Sequence, residues 1–155
     1  LDVGLIHFAD VIESACGRDV EKLSGAGAAG GMGAGISAFF GGDLNPGIEI
    51  VLDLIQFEKI AEDADLVITG EGKIDLQSFY GKIPGTIANF CQKQNIPVYA
   101  VVGLAEKQVL PRFDKVFTMS QYARSVQDSI KNAPSYLKII AQAIVDTLYL
   151  SAYSD

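Results

Sequence analysis

Three short apolar runs, separated by stretches of helical periodicity, limit what this chain can fold into. Asp65-Leu66-Val67-Ile68-Thr69 is rich in β-branched residues and ends at Gly70. Val98 to Val102 lies between Pro97 and Gly103, and Val116 to Met119 forms a third, shorter run. Apolar runs of this kind suit strands buried on both faces. Alternated with helices, they predict an α/β fold with a parallel, doubly wound sheet. Pro84 is placed to open a helix to about Gln94, with Ile87, Ala88 and Cys91 inward. Pro134 opens a final helix whose stripe is Leu137, Ile140, Ala141, Ile144 and Leu148. Three strands are few for such a sheet, and a long edge strand stays bare unless something pairs with it.

The first third of the chain reads differently. Leu5, Phe8, Val11, Ile12, Ala15 and Cys16 recur at helical spacing, with Gly17 as the stop. His7, the only histidine, falls in this stretch and reads as a surface or partly buried helix residue. A charged link, Asp19 to Ser24, leads to a segment from Gly25 to Gly47 that holds nine of the sixteen glycines. It predicts a tightly turned backbone opening into a small-residue helix, about Gly31 to Phe40. Asn45-Pro46-Gly47 is a turn, and a helix is expected from Ile48 to about Ile60.

Composition narrows the function classes. At 155 residues the chain has the length of one domain, or of a piece of a larger one. Its net charge of -7 argues against a nucleic-acid partner, which would need clustered Lys and Arg. Phosphate ligands remain open, because a few lysines and backbone N–H groups suffice to bind one. Cys16 and Cys91 are far apart without CxxC spacing, so two buried free thiols are expected and neither a disulfide scaffold nor a zinc site. The longest apolar run, Ile96 to Leu104, is too short to span a bilayer, and no signal-peptide pattern opens the chain. The expectation is a cytoplasmic protein with no membrane partner. Leu1 at the start, in place of Met, suggests a chain cut from something longer. Together with the bare edge it predicts a missing N-terminal part, and self-association of the isolated piece through that edge.

Two segments could carry chemistry. Gly25-Ala26-Gly27-Ala28-Ala29-Gly30 has the GxGxxG spacing of dinucleotide sites. No buried strand precedes it and no acidic residue closes a second strand about twenty residues on, so NAD binding is not indicated. A close-packed glycine turn and a loop lining a phosphate or substrate both remain open. The sharper segment is Thr69-Gly70-Glu71-Gly72-Lys73-Ile74-Asp75-Leu76-Gln77-Ser78, followed by Gly81-Lys82-Ile83-Pro84. It is expected as a polar loop, Glu71 to Lys82, past the carboxyl end of a parallel strand, where open α/β sheets place ligands. Two carboxylates, an amide, hydroxyls and two lysines fall within fourteen residues, and the chain then reaches a helix N-terminus. Phosphoryl transfer uses such an inventory: a carboxylate for the hydroxyl proton or for Mg²⁺, and cations for the moving phosphoryl group. On spacing alone, a solvated loop with ordinary charges is the competing reading.

TGEGKIDLQS followed by GKIP is similar to the signature of the bacterial glycerate kinase family. The upstream GAGAAGGMGAG and the DLVITG and IPVYAVVG strands also resemble family segments, in the same order. The resemblance runs from about Phe8 to about Met119, and more weakly through the last helix. It implies a two-domain enzyme in which a Rossmann-like domain, built from both ends of a longer chain, carries a second, inserted α/β domain. On that plan residues 1–46 are the tail of the inserted glycine-rich domain. Residues 47–155 are the C-terminal half of the Rossmann-like domain, a partial parallel sheet with flanking helices.

The implied activity is transfer of the ATP γ-phosphoryl group to a hydroxyl of glycerate, with Mg²⁺. The implied partners are glycerate, ATP and the missing N-terminal half. Asp75 is the first candidate for general base or Mg²⁺ ligand, and Glu71 the second. Lys82, Gln77 and Ser78 resemble positions contacting substrate or phosphate, with Gly72 in the same motif and Lys73 as a charge-stabilising candidate. Gly27, Gly30 and Gly31 are expected to line the cleft from the other domain. Two departures stand out. The family's N-terminal Asp-Ser-Phe-Lys-Gly-like segment is absent, which puts activity of this chain by itself in doubt. Ala105 to Lys115 is charged where glycine-rich sequence is common. A stand-alone binding or interaction module on the same scaffold is the alternative.

Overall fold

The computed structural model describes residues 2–152. The chain divides into two compact units, residues 1–50 and 51–155, the boundary falling within one helix.

In the first unit, helix α1 (Asp2–Cys16) packs on α2 (Ala28–Phe40). Their shared core is small: Ile12, Val20, Ala26, Ala34 and Ala38 are buried, with Phe8 and Ala9 against them. Val20 shows that the charged link hides one apolar anchor. The inward face of α1 is centred on Ile12, while Val11, Ala15 and Cys16 are exposed. Cys16 therefore departs from the expected pair of buried thiols; its free sulfur is at the surface, and only Cys91 is buried. His7 is exposed, as expected for a surface helix residue. The opening of α2 is not regular helix: Ala29, Gly30 and Gly31 have φ of 51°, 72° and 95°. Regular helix follows them, as the glycine-rich spacing predicts.

The expected single helix after Pro46 is two, α3 (Gly47–Leu54) and α4 (Phe57–Ala61). Gln56, at φ 52°, adopts the left-handed conformation between them, which no regular helix contains. Hydrophobic spacing runs across this break, so periodicity alone does not reveal it.

The second unit is built on a three-stranded parallel sheet in the order β1 (Val67–Ile74), β2 (Val98–Ala105), β3 (Lys115–Thr118). Helix α5 (Ile83–Gln94) connects β1 to β2, whereas β2 reaches β3 through a short 3₁₀ turn, Lys107–Arg112. After β3 come α6 (Val126–Lys131) and the long α7 (Ala133–Ala152). Alternate residues of β2 serve two cores, as the two-residue period of a strand requires. Val98, Ala100 and Val102 pack with Ala88 and Cys91 of α5. Tyr99 and Val101 pack with Ile140 and Ile144 of α7. Both faces of the sheet are thus covered. On α7 the buried stripe is narrower than expected: Ile140 and Ile144 are buried, and Leu137 is largely exposed. Among the described residues the outer edge of β1 pairs with no other strand.

One expectation is corrected at the centre of the molecule. Glu71, Gly72, Lys73 and Ile74 do not begin a loop; they continue β1, with Glu71 opposite Val102, Lys73 opposite Leu104 and Ile74 opposite Ala105. The reason is pairing. Ile74 is fully buried, and Gly103 lies so close to the Gly72 carbonyl that a side chain there would collide with it. Glycines that read as loop residues here let two strand ends approach.

Candidate active site

The extension of β1 carries Lys73 to the carboxyl end of the sheet, beside the end of β2. There its Nζ donates to Glu106 Oε1 at 2.9 Å and to Asp75 Oδ2 at 3.1 Å. Glu106 is held by its own backbone, whose N–H donates to the Ile74 carbonyl and prolongs the ladder between the strands. Lys73 is half exposed, so the two ion pairs contribute modestly to stability, but they fix where one positive charge sits. The hydrogen bond to Glu106, then that to Asp75, holds the ammonium pKa above the ordinary lysine value.

Asp75 is the N-cap of a 3₁₀ turn, Leu76–Phe79. Its Oδ1 accepts from the Gln77 backbone N–H at 2.9 Å, and Ser78 Oγ accepts from the Asp75 N–H at 3.2 Å. The reciprocal pair is a capping box. The Lys73 hydrogen bond is the main reason the carboxyl stays below the usual carboxylate range, with Lys82 adding a weaker attraction. An Asp so held is an ion at neutral pH and a weak base. Ser78 is fully buried, so in this structure its hydroxyl serves the turn. Lys82 caps the start of α5 through its backbone, and its carbonyl accepts from Thr86 Oγ1 at 3.0 Å.

Glu71 has a different setting. Its Oε2 is buried with no hydrogen-bond partner, a costly condition for a carboxylate oxygen. Glu71, Gly72 and Lys73 line a cavity of about 900 Å³ at the carboxyl ends of the strands. Asp75, Gln77, Ser78 and Lys82 are not among its lining residues. In the first unit, Gly27 and Gly31 line a smaller cavity of about 210 Å³, together with Leu5 and Phe8, and Gly30 is not part of that lining.

Sequence reasoning missed Glu106, Arg124 and Ser129. Glu106 lies in the segment singled out only for its charge, and nothing in its spacing marks it as a neighbour of Lys73. Arg124 and Ser129 line the large cavity from the segment around α6. A Ser125-x-x-Asp128 spacing was available as a signal: Ser125 Oγ accepts from the Asp128 N–H at 3.1 Å and caps α6.

Residues 1–149 match the family model described as the glycerate kinase family. A glycerate kinase of Halalkalibacterium halodurans is 39% identical over 148 residues, which cover 93% of this chain and 39% of that protein. A glycerate 2-kinase of Escherichia coli K12 is 50% identical over 103 residues, 66% of this chain and 27% of that protein. Among solved structures, a protein of Salmonella typhimurium LT2 described as glycerate kinase 2 superposes with a TM-score of 0.69 at 38% identity, over 95% of this chain and 38% of that one. The chain spans about two fifths of the length of the curated relatives it matches. With a family match along nearly all of its length and a fold similar to a relative's over 95% of the chain, this chain belongs to the glycerate kinase family.

Proposed function

We propose that the protein of which this chain forms part is a cytoplasmic kinase that moves the ATP γ-phosphoryl group to a hydroxyl of glycerate. Within it, residues 1–46 belong to the tail of an inserted domain and residues 47–155 to the C-terminal half of a Rossmann-like domain. The observation that carries the reading is the Lys73 ammonium held between Asp75 and Glu106 at the carboxyl ends of two parallel strands. Phosphoryl transfer needs a fixed cation where negative charge gathers, more than it needs covalent chemistry from the protein.

The roles divide by environment. Lys73 neutralises charge on the transferring group. Asp75, kept ionised by Lys73, orients a donor or holds Mg²⁺. Glu71, with an oxygen that no group satisfies, is the better placed to take the proton of the acceptor hydroxyl. Lys82 adds positive potential beside Asp75. The backbone N–H of Gly72 and the side chain of Gln77 complete the contacts to substrate, while Ser78 keeps the turn that carries Asp75. Among the described residues no cluster of three or more acidic, His or Cys side chains forms a metal cage. Mg²⁺ takes one or two carboxylates and shares substrate phosphate oxygens, and Asp75 is the carboxylate that this chain would supply. Bound there, the ion supplies charge neutralisation at the phosphates. The 50% identity to a protein named glycerate 2-kinase favours the 2-hydroxyl as acceptor.

The test is ADP release from MgATP by the full product of the gene, with and without glycerate, and assignment of the product by phosphorus and proton NMR. Glycerate-dependent ADP and 2-phosphoglycerate are expected. A folded protein that releases no ADP with glycerate overturns the reading.

A further inference from the structure

The charged segment between β2 and β3 reaches the Lys73–Asp75 pair from two directions. Glu106, at its start, binds Lys73. Arg112 and Phe113, near its end, lie against Phe79, the last residue of the 3₁₀ turn that Asp75 caps. The Arg112 guanidinium stands 4.9 Å from the centre of the Phe79 ring, and the Phe113 ring lies 6.0 Å from it at 56°. Phe113 is fixed by burial in the core shared with α5. Arg112 is exposed, but it is tied to α5 twice. Its Nη2 donates to Asn89 Oδ1 and its carbonyl accepts from Gln92 Nε2, both at 3.2 Å.

The turn needs such a hold. Its backbone rests against the start of α5, where a side chain at Gly85 would collide with the Ser78 carbonyl and the Phe79 Cα. The capping box secures its first half. Beyond Phe79 the chain is open: Tyr80 is exposed, and Gly81, at φ 75°, has nothing packed where a Cβ would stand. Phe79 therefore anchors the second half, and its half-buried ring is held by what covers it. Resting on the kinase reading above, we propose that Arg112 is a positioning residue: clamped to α5 through Asn89, it holds Phe79, and through Phe79 the turn that presents Asp75 and Gln77. Asp75 lies four residues before Phe79 in one short turn, so a ring that slides carries the carboxylate away from Lys73. Displacements of about 1 Å are enough to slow a phosphoryl transfer that depends on placement. The planar guanidinium covers the ring and donates in its own plane to Asn89, a combination that an ammonium does not offer.

Two measurements on the full product of the gene test this. Sub-second hydrogen exchange, read by mass spectrometry, follows the turn without any substrate. Arg112→Ala is expected to speed exchange over residues 76–80 about fivefold and to leave peptides of β2 unchanged. In steady-state kinetics the same variant should lower kcat about fivefold, with the KM for ATP and for glycerate changed less than about twofold. Arg112→Lys keeps the charge and is expected to restore neither quantity. In an Asp75→Asn background, Arg112→Ala should have no further effect on kcat, because the turn no longer has a charge to place. A general loss of structure would instead lower kcat in both backgrounds alike. Unchanged exchange in the turn overturns the proposal, as does full recovery with Lys or a kcat loss that persists beside Asp75→Asn. A parent protein that turns over no glycerate removes the kinase reading, and exchange in the turn then decides the clamp by itself.

Discussion

Lys73 and Glu106, thirty-three positions apart in the chain, meet across the ends of adjacent parallel strands with Nζ 2.9 Å from Oε1. That contact converts a flexible lysine into a placed charge, and Asp75 completes its fixation from the other side. Replacing Lys73 by Met keeps most of the side-chain volume and removes the charge. The turnover of glycerate is expected to fall on the order of a hundredfold, as when a preorganised charge stabiliser is lost. The acid limb should move as well. Lys73 is the largest cause of the lowered Asp75 pKa, so without it Asp75 returns toward the ordinary carboxylate range and gains its proton at higher pH. If activity needs ionised Asp75, the acid limb of kcat/KM shifts upward in pH. A limb that stays in place would show that Asp75 is not the group that titrates.

Asp75 has two duties that substitution separates. Asp75→Asn keeps an oxygen for the Gln77 N–H and removes the charge; Asp75→Ala removes both. The Asn variant is expected to lose only the modest stabilisation of the exposed Lys73 ion pair, under about 2 °C of Tm, and about a hundredfold in kcat. The Ala variant should lose a similar factor in kcat and, in addition, about 3 °C of Tm from the missing cap. Equal Tm in all three proteins would show that the capping box does not stabilise the turn.

Gly103 tests the close approach of β1 and β2. A methyl group at this position meets the Gly72 carbonyl oxygen, a backbone atom that moves only if the strand ends separate. Gly103→Ala is expected to cost about 1–3 kcal/mol in urea unfolding. It should also reduce activity, because Lys73 and Glu106 lie next to the pair that is pushed apart. A variant as stable as the parent would mean that the strands there give way freely.

How much of this was legible in the sequence depends on the range of the forces involved. The three strands, their parallel pairing and the inward Ala88 and Cys91 of α5 follow from local apolar pattern, which is strong where a segment is buried on both faces. The extension of β1 through Ile74 was hidden because Glu71, Gly72 and Lys73 are polar or small; only their partners on β2 make them strand. The break at Gln56 was hidden because one left-handed residue leaves hydrophobic spacing intact. In the site, the motif spacing singled out Lys73 and Asp75, which lie two residues apart and touch. Glu106 and Arg124 come from other loops, and a contact made across the sheet has no signature in one chain read alone.

Asp128 links α6 to α7, and its titration offers the last test. Its carboxylate accepts from the Arg124 N–H, from Asn132 Nδ2 and, at 2.8 Å, from the Tyr136 hydroxyl. The Arg124 N–H is the main reason Asp128 is held below the ordinary carboxylate range, followed by Tyr136 and Asn132. Its contribution to stability is therefore present above that range and lost as pH falls through the lowered folded value. For Tyr136 the sign is opposite. The hydrogen bond to Asp128 raises the phenol pKa, so its contribution is complete below the ordinary tyrosine value and is lost as pH climbs through the raised one. Asp128→Asn removes the charge from both relationships. Phenolate absorbance, read as the difference between each protein and its Tyr136→Phe counterpart, should show Tyr136 ionising at lower pH in the Asn variant than in the parent. Identical titrations would mean that the Tyr136–Asp128 bond does not persist in solution, and α6 would then lack the tie that holds Arg124 against the cavity.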